Sequence, residues 1–228
     1  MTRLHRTRLL FGNIATERLR AATVMVVGCG AVGSFVIESL ARSGVGHLIL
    51  VDFDTVEESN INRQLFALDS TLNQPKVLVA KSRIHDINPD IVVDTYNMFF
   101  SVDSDISASP DVVVDAIDTV ESKVALYKWA HARNIPFISS MGAASKTDIS
   151  QIRLGRISQT SVCPLAARVR RLVRSESLPD FPVVYSVQSP LPVTGHAKNL
   201  GSVITVTGAF GLYIANWVIL YITGDVSF

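Results

Sequence analysis

Ala22 to Leu40 reads ATVMVVGCGAVGSFVIESL, and its two halves have different periods. Ala22–Gly28 is one continuous apolar run, which predicts a strand buried on both faces. From there the pattern switches. Gly28, Gly30 and Gly33 open a stretch in which Val32, Phe35, Val36, Ser39 and Leu40 recur at helical spacing. A strand that passes through Gly-x-Gly-x-x-Gly into a helix leaves backbone N–H groups at a helix N-terminus, where an anion is favoured. A lone glycine triplet is a weak signal. Here Asp52, nineteen positions after Gly33, ends a second apolar run, His47–Asp52, where a carboxylate can hold ribose hydroxyls.

Further along, IVVDTY (91–96), DVVVDA (111–116) and PFISS (136–140) are short β-branched runs. Helices are predicted from Pro75 toward Asn88-Pro89 and from Val120 to Arg133. Strand and helix alternate, and the strands are continuously apolar. That predicts a Rossmann-like α/β fold, with a mostly parallel sheet covered by helices on both faces. After Ser140 the rhythm changes to a strand at QIRLGRIS (151–158), a helix at Pro164–Ser175 and a strand at FPVVYS (181–186). A loop with Pro190, Pro192 and Gly195 follows, over Val187–Asn199. This C-terminal strand and helix segment is expected to extend the same sheet. The expectation is one domain over 1–228: a helical arm (1–21), a nucleotide-binding core (22–140) and an acceptor-binding extension (141–228).

Composition narrows the classes. Lys plus Arg is 21 against 20 for Asp plus Glu, so the total charge does not announce a nucleic-acid binder. Cys29 and Cys163 form no CxxC pair, which argues against a zinc clamp or a disulfide framework. MTRLHRTRLLFG lacks the long apolar run of a secretory signal, so a reducing cytoplasm is the default expectation. Leu200–Ile222 carries no charge and is long enough to cross a bilayer, yet no strongly basic cluster flanks it. A buried core or interface helix is the preferred reading, with membrane docking as the alternative.

The chemistry concentrates in VDFDTVEESNINRQ, Val51 to Gln64. A hydride-transfer site needs no extra cation beside a pyrophosphate. This chain adds Arg63 and Gln64 after Asn60 and Asn62, then Lys76 at a helix start and Asp118 beyond DVVVDAID. Two cations with amide donors suit a triphosphate and the charge that develops at its α-phosphorus. A carboxylate at the C-terminal end of a parallel strand suits Mg2+.

GCGAVGS, VDFDTVEESNINRQ, KVLVAKSRIHDINPD and VVVDAIDTVESK together resemble the ATP-dependent adenylating family of ubiquitin-activating enzymes and bacterial sulfur-carrier activators. That resemblance implies ATP and Mg2+ as cofactors. It assigns Gly28, Gly30, Gly33, Asp52, Asp54, Asn60, Arg63, Gln64, Lys76 and Asp118 to the nucleotide, and Asp118 to the metal. RTRLLFG is similar to the family's N-terminal motif, which implies a homodimer in which Arg6, or alternatively Arg8, reaches the nucleotide of the other subunit. Arg63, Lys76, Asp118 and Arg6 are then the catalytic set.

Within that family, ISSMGAASKTDISQIRLGRISQTSVCPLAARVRRLVR resembles the tRNA threonylcarbamoyladenosine dehydratases. These activate the threonyl carboxylate of a modified adenosine and let it cyclise, so a tethered nucleophile replaces a protein thiol. The resemblance implies tRNA as partner, with a sulfur-transfer protein as a further one. Gln151–Ser175 holds six arginines and no acid. Arg168, Arg171 and Arg174 share a helical face and, with Arg153 and Arg156, are the candidate tRNA contacts, with Arg170 the sixth. The branch usually has Asp where this chain has Cys163. Some relatives have been considered membrane-associated through an apolar C-terminal segment like Leu200–Ile222. The runner-up acceptor is the C-terminus of a ubiquitin-like or sulfur-carrier protein. An inactive nucleotide-binding adaptor is the alternative of another class, against which Arg6, Arg63, Lys76 and Asp118 together argue.

Overall fold

A computed structural model describes residues 2–104, 106–192 and 200–225. Its sheet has seven strands: β1 (Thr23–Val27), β2 (His47–Val51), β3 (Val92–Tyr96), β4 (Val112–Asp115), β5 (Phe137–Ser140), β6 (Ile152–Arg156) and β7 (Pro182–Ser186). They lie in the order β3-β2-β1-β4-β5-β7-β6. All neighbours are parallel except β6, which runs antiparallel to β7 at the edge. The chain order reverses beside β1, so the crevice between the C-terminal ends of β1 and β4 is the place where such sheets bind ligands.

The helices are α1 (His5–Ala21), α2 (Gly33–Ser43), α3 (Lys76–Ile87), α4 (Val120–His131), α5 (Pro164–Ser175) and α6 (Ile204–Thr223). They divide between the two faces, and β1 records the division residue by residue. Val24 and Val26 join the core that holds Val36, Ile84 and Phe210, under α2, α3 and α6. Met25 and Val27 join the core that holds Tyr127, Val169 and Phe181, under α4 and α5. A strand buried on both sides must be apolar throughout, which is why the run at 22–28 shows no alternation.

The extension does join the same sheet. Ser139 and Ser140 of β5 pair with Val183 and Val184 of β7, and α5 is the connection from β6 to β7. The helical arm is α1, broken at Gly12, whose φ of 81° no helix interior uses. It packs on α6 rather than standing free, and Arg18 donates to the Thr223 carbonyl at the α6 C-terminus, 2.9 Å away. Of the predicted loop at 187–199, residues 193–199, Gly195 among them, lie outside the described residues.

The apolar segment begins its helix at Ile204, so Leu200–Val203 lead into α6 rather than belonging to it. The helix, 20 residues long, is apolar enough to cross a bilayer by length and composition alone. Its packing is that of a core helix: Val206, Phe210, Ile214 and Val218 are fully buried. Small residues make that possible. A Cβ on Gly211 would lie 2.6 Å from both the Val32 carbonyl oxygen and Phe35 Cβ, so α6 and α2 meet at backbone distance. Gly211→Ala is therefore expected to push the helices apart and remove about 2 kcal/mol of stability. In this size class that lowers the midpoint of a thermal melt by roughly 4–8 °C. An unchanged melt would mean that the two helices adjust freely.

Candidate nucleotide site

Gly28 ends β1 with φ of 99°, and a Cβ there would approach the Ala116 carbonyl oxygen to 2.6 Å. Only glycine satisfies both constraints. A Cβ on Gly33 would fall 1.7 Å from the Gly28 carbonyl oxygen, so the α2 N-terminus sits directly on the end of β1. Gly33 is thus a packing glycine and does not line the cavity, whereas Gly28 and Gly30 do. Among the described residues, no protein acceptor takes the Ala31 and Val32 amide hydrogens, and both residues line the cavity. Free N–H groups at a helix N-terminus suit phosphate oxygens.

The cavity holds about 630 Å3, within the range of cofactor-sized sites. It brings together nearly every residue predicted for the nucleotide: Gly28, Gly30, Asp52, Asp54, Asn60, Arg63, Gln64, Lys76 and Asp118. Asp52 is tied down before any ligand arrives. Its carboxylate accepts from the Cys29 amide at 2.6 Å and from the Asp54 amide at 2.8 Å, which locks β2's end to the glycine loop. Burial raises the Asp52 pKa, and the two amides and Lys76 only partly offset that. Burial, and after it the charge of Asp52, raises the Cys29 thiol well above its ordinary value, so this cysteine stays a protonated packing group.

Lys76 is nearly buried, and its ammonium donates to Asp54 at 2.7 Å. Asp54 therefore serves as the anchor of Lys76. Asn60 is buried and accepts the Glu57 amide, holding the loop that presents Arg63. The Arg63 guanidinium donates to the Ser59 carbonyl and to Asn62 Oδ1, while Asn62 donates to the Ser202 carbonyl just before α6. The NINR cluster thus joins the nucleotide loop to the C-terminal segment. Asp118 is exposed to the cavity and has no hydrogen bond or ion pair among the described residues. One free carboxylate beside phosphates fits Mg2+, which keeps several waters and takes few protein ligands.

Two features went unread in the sequence. Phe53 and Phe99 meet edge to face at 5.2 Å and, with Met98 and Phe100, make an apolar wall. Their signal was available, because Met98–Phe100 follow the C-terminal end of β3. The second is the pairing of Lys123, fully buried, with Asp115.

Arg6 is exposed on the first turn of α1 and lines no part of the cavity of its own chain. Arg8 pairs with Glu17 at 3.8 Å. On α5, Arg168, Arg171 and Arg174 are exposed, Arg168 within 3.6 Å of Glu121 on α4, and Ala166, Val169 and Val173 are the buried stripe; Leu165 and Leu172 are half-buried. Arg170 instead turns inward onto Thr160. Arg153 and Arg156 lie on edge strand β6, where backbone carbonyls of Ser150, Ile152 and Asp180 engage them, so the five candidate arginines do not form one uniform face. Cys163 is the buried N-cap residue of α5 and makes no side-chain cap.

The ThiF family model matches residues 4–227. The chain belongs to the ThiF family. It is 44% identical over 192 residues to a tRNA threonylcarbamoyladenosine dehydratase of Bacillus subtilis, covering 82% of this chain and 76% of that one. It is 37% identical to that of Haemophilus influenzae, covering 77% and 71%. The crystal structure of Escherichia coli tRNA N6-threonylcarbamoyladenosine dehydratase in complex with ATP superposes with a TM-score of 0.91, at 30% identity over 98% of this chain and 94% of that one.

The raised Asp52 pKa gives this ThiF-family cavity a testable pH dependence. The expectation that Asp52 holds the ribose then predicts that ATP affinity falls as pH drops through that pKa and the carboxylate is protonated. Protonation does not unfold the protein through this group: the folded state binds the proton more tightly than the unfolded chain, so the fold gains as pH drops through the window. ATP affinity titrated from neutral pH downward should decline at a higher pH than an ordinary aspartate would give. Asp52→Asn should bind weakly with no such step. A wild-type affinity independent of pH across that window would remove Asp52 from nucleotide binding.

Proposed function

We propose that this chain is an ATP-dependent tRNA threonylcarbamoyladenosine dehydratase. The observation that carries the reading is the single cavity in which the glycine loop, Asp52, Asn60, Arg63, Gln64, Lys76 and Asp118 converge, in a chain whose relatives carry that name. Its N–H donors and cations match a triphosphate, and its other wall, Ser140–Ala144 with Leu165 and Ser202, is free for an acceptor.

In this reading Asp52 holds the ribose and the Ala31 and Val32 amides receive phosphate oxygens. Arg63 and Lys76 stabilise the charge that builds as an acceptor carboxylate oxygen attacks the α-phosphorus and pyrophosphate leaves. Asp118 would hold Mg2+, which supplies charge neutralisation on the phosphates. The threonyl adenylate is then attacked by the carbamoyl group of the same nucleoside. That closes the ring, releases AMP and loses the carbamoyl proton. Intramolecular attack needs no protein nucleophile, in keeping with two cysteines that are both buried.

A homodimer is part of the proposal. Leu9, Leu10 and Ile14 of α1 and Leu212 and Tyr213 of α6 are exposed, and the two helices pack together. Their apolar side chains suit a second copy. Arg6 has no protein partner among the described residues while Arg8 is paired, which favours Arg6 as the arginine that enters the other subunit's site. We assign no role to a sulfur-transfer protein or to a membrane.

The tRNA contact is proposed on the exposed face of α5, which starts beside the cavity at Leu165. Changing Arg168, Arg171 and Arg174 together to Gln should raise the tRNA KM and leave the ATP KM alone. The slope of log affinity against log salt should shrink by up to about 3 units. The buried stripe is untouched, so the variant should melt like wild type. An unchanged tRNA affinity and salt slope would reduce these arginines to a solvated face and favour a protein C-terminus as acceptor.

A further inference from the structure

The last rung of the β4–β5 ladder is Asp115 opposite Ser139. Beyond it the two strands part. One continues through Ala116–Thr119 along the nucleotide side of the cavity, carrying Asp118; the other continues through Ser140–Ala144 along the acceptor side. At the fork lies the Lys123 ammonium. It donates to Asp115 Oδ2 at 3.0 Å, to Ser139 Oγ at 3.4 Å and to the Ser140 carbonyl at 2.7 Å. Ser139 Oγ donates to the same Asp115 oxygen, and Asp115 Oδ1 accepts the Ile117 amide at 3.0 Å. Asp115 and Lys123 side chains are 0% and 1% exposed.

A buried ion pair is weak evidence for stability, because removing two charges from water offsets most of their attraction. This one does something an apolar pair could not. Three ammonium N–H groups meet three acceptors drawn from the ends of both strands where they part, and Asp115 passes the constraint on to the backbone that carries Asp118. We propose that Lys123 is a positioning residue that fixes the nucleotide wall against the acceptor wall, so that the attacking carboxylate and the α-phosphorus are held at reacting distance. The proposal rests on the adenylating reading of the cavity. Lys123 itself lines no part of the cavity. Misplacing reactants by about 1 Å costs on the order of 10²-fold in rate without a matching loss of binding.

Lys123→Met alone strands a buried carboxylate and endangers folding, so the decisive variant is the neutral pair Asp115→Asn/Lys123→Met. Three quantities are measured on it and on wild type. These are the ATP dissociation constant, the rate of AMP release with threonylcarbamoyladenosine-bearing tRNA, and hydrogen exchange at the amides of both walls. The folded double variant should bind ATP within about 3-fold of wild type and release AMP about 10²-fold more slowly. Amides at Ile117–Thr119 and at Met141–Ala144 should both exchange about 10-fold faster, with β1 and α2 unchanged. A folded double variant with wild-type turnover, or loosening confined to one wall, overturns the proposal. If the double variant does not fold, exchange is read on Ser139→Ala, which removes one donor and one acceptor of the network, and the same two-wall loosening is required. Wild type that releases no AMP with modified tRNA would refute the dehydratase reading instead, and the exchange pattern would still decide the role of Lys123.

Discussion

Contact between Gly33 and the Gly28 carbonyl is the constraint on which the site depends. With any side chain at Gly33 the α2 N-terminus could not sit on the end of β1, and the Ala31 and Val32 amides would not face the crevice. The same turn directs the Cys29 amide to Asp52, so one glycine contact sets the Ala31 and Val32 amides and the Asp52 carboxylate relative to each other. The Lys76 arm is fastened to this turn, whereas the Asp118 wall has its own anchor. Lys76 hangs on Asp54, Asp54 on Asp52, and the Asp118 wall on Asp115 and Lys123.

The architecture divides labour between the two sheet faces. Helices α1, α2, α3 and α6 bury one face and supply, through α1 and α6, an apolar outer surface that suits a second copy. Helices α4 and α5 bury the other, and α5 leaves three arginines exposed beside the Ser140–Ala144 wall of the cavity. Overall charge is nearly balanced, so such a patch shows in the local run of arginines over 151–175 and not in the total.

Much of this was legible in the chain alone, for physical reasons. The continuous apolar run at 22–28 must be a doubly buried strand, and a cation, amide and carboxylate set after strand ends has few uses besides a triphosphate. Other features were not legible. Gly33 looked like a ligand residue because a pattern cannot distinguish a glycine that admits phosphate from one that admits a carbonyl. Arg153 and Arg156 looked like equals of the α5 arginines because charge counting ignores the backbone carbonyls that engage them at the sheet edge. The Leu200–Ile222 segment satisfied both a core helix and a bilayer span, and the difference lay in Gly211 meeting Phe35, a contact between residues far apart in sequence. The pairing of Lys123, which ends the quoted VVVDAIDTVESK motif, was invisible for the same reason, since its partners Asp115, Ser139 and Ser140 converge only when β4 and β5 pair.

The central claim is that this cavity splits ATP to activate a carboxylate on tRNA. It is tested most directly by following AMP release from α-labelled ATP with three acceptors in parallel: tRNA bearing threonylcarbamoyladenosine, the same tRNA unmodified, and a carrier protein ending in Gly-Gly. The account predicts AMP only with the modified tRNA, together with a product nucleoside lighter by one water. Label transferred onto the Gly-Gly carrier as its acyl adenylate, with pyrophosphate released and no AMP formed with the modified tRNA, would contradict it.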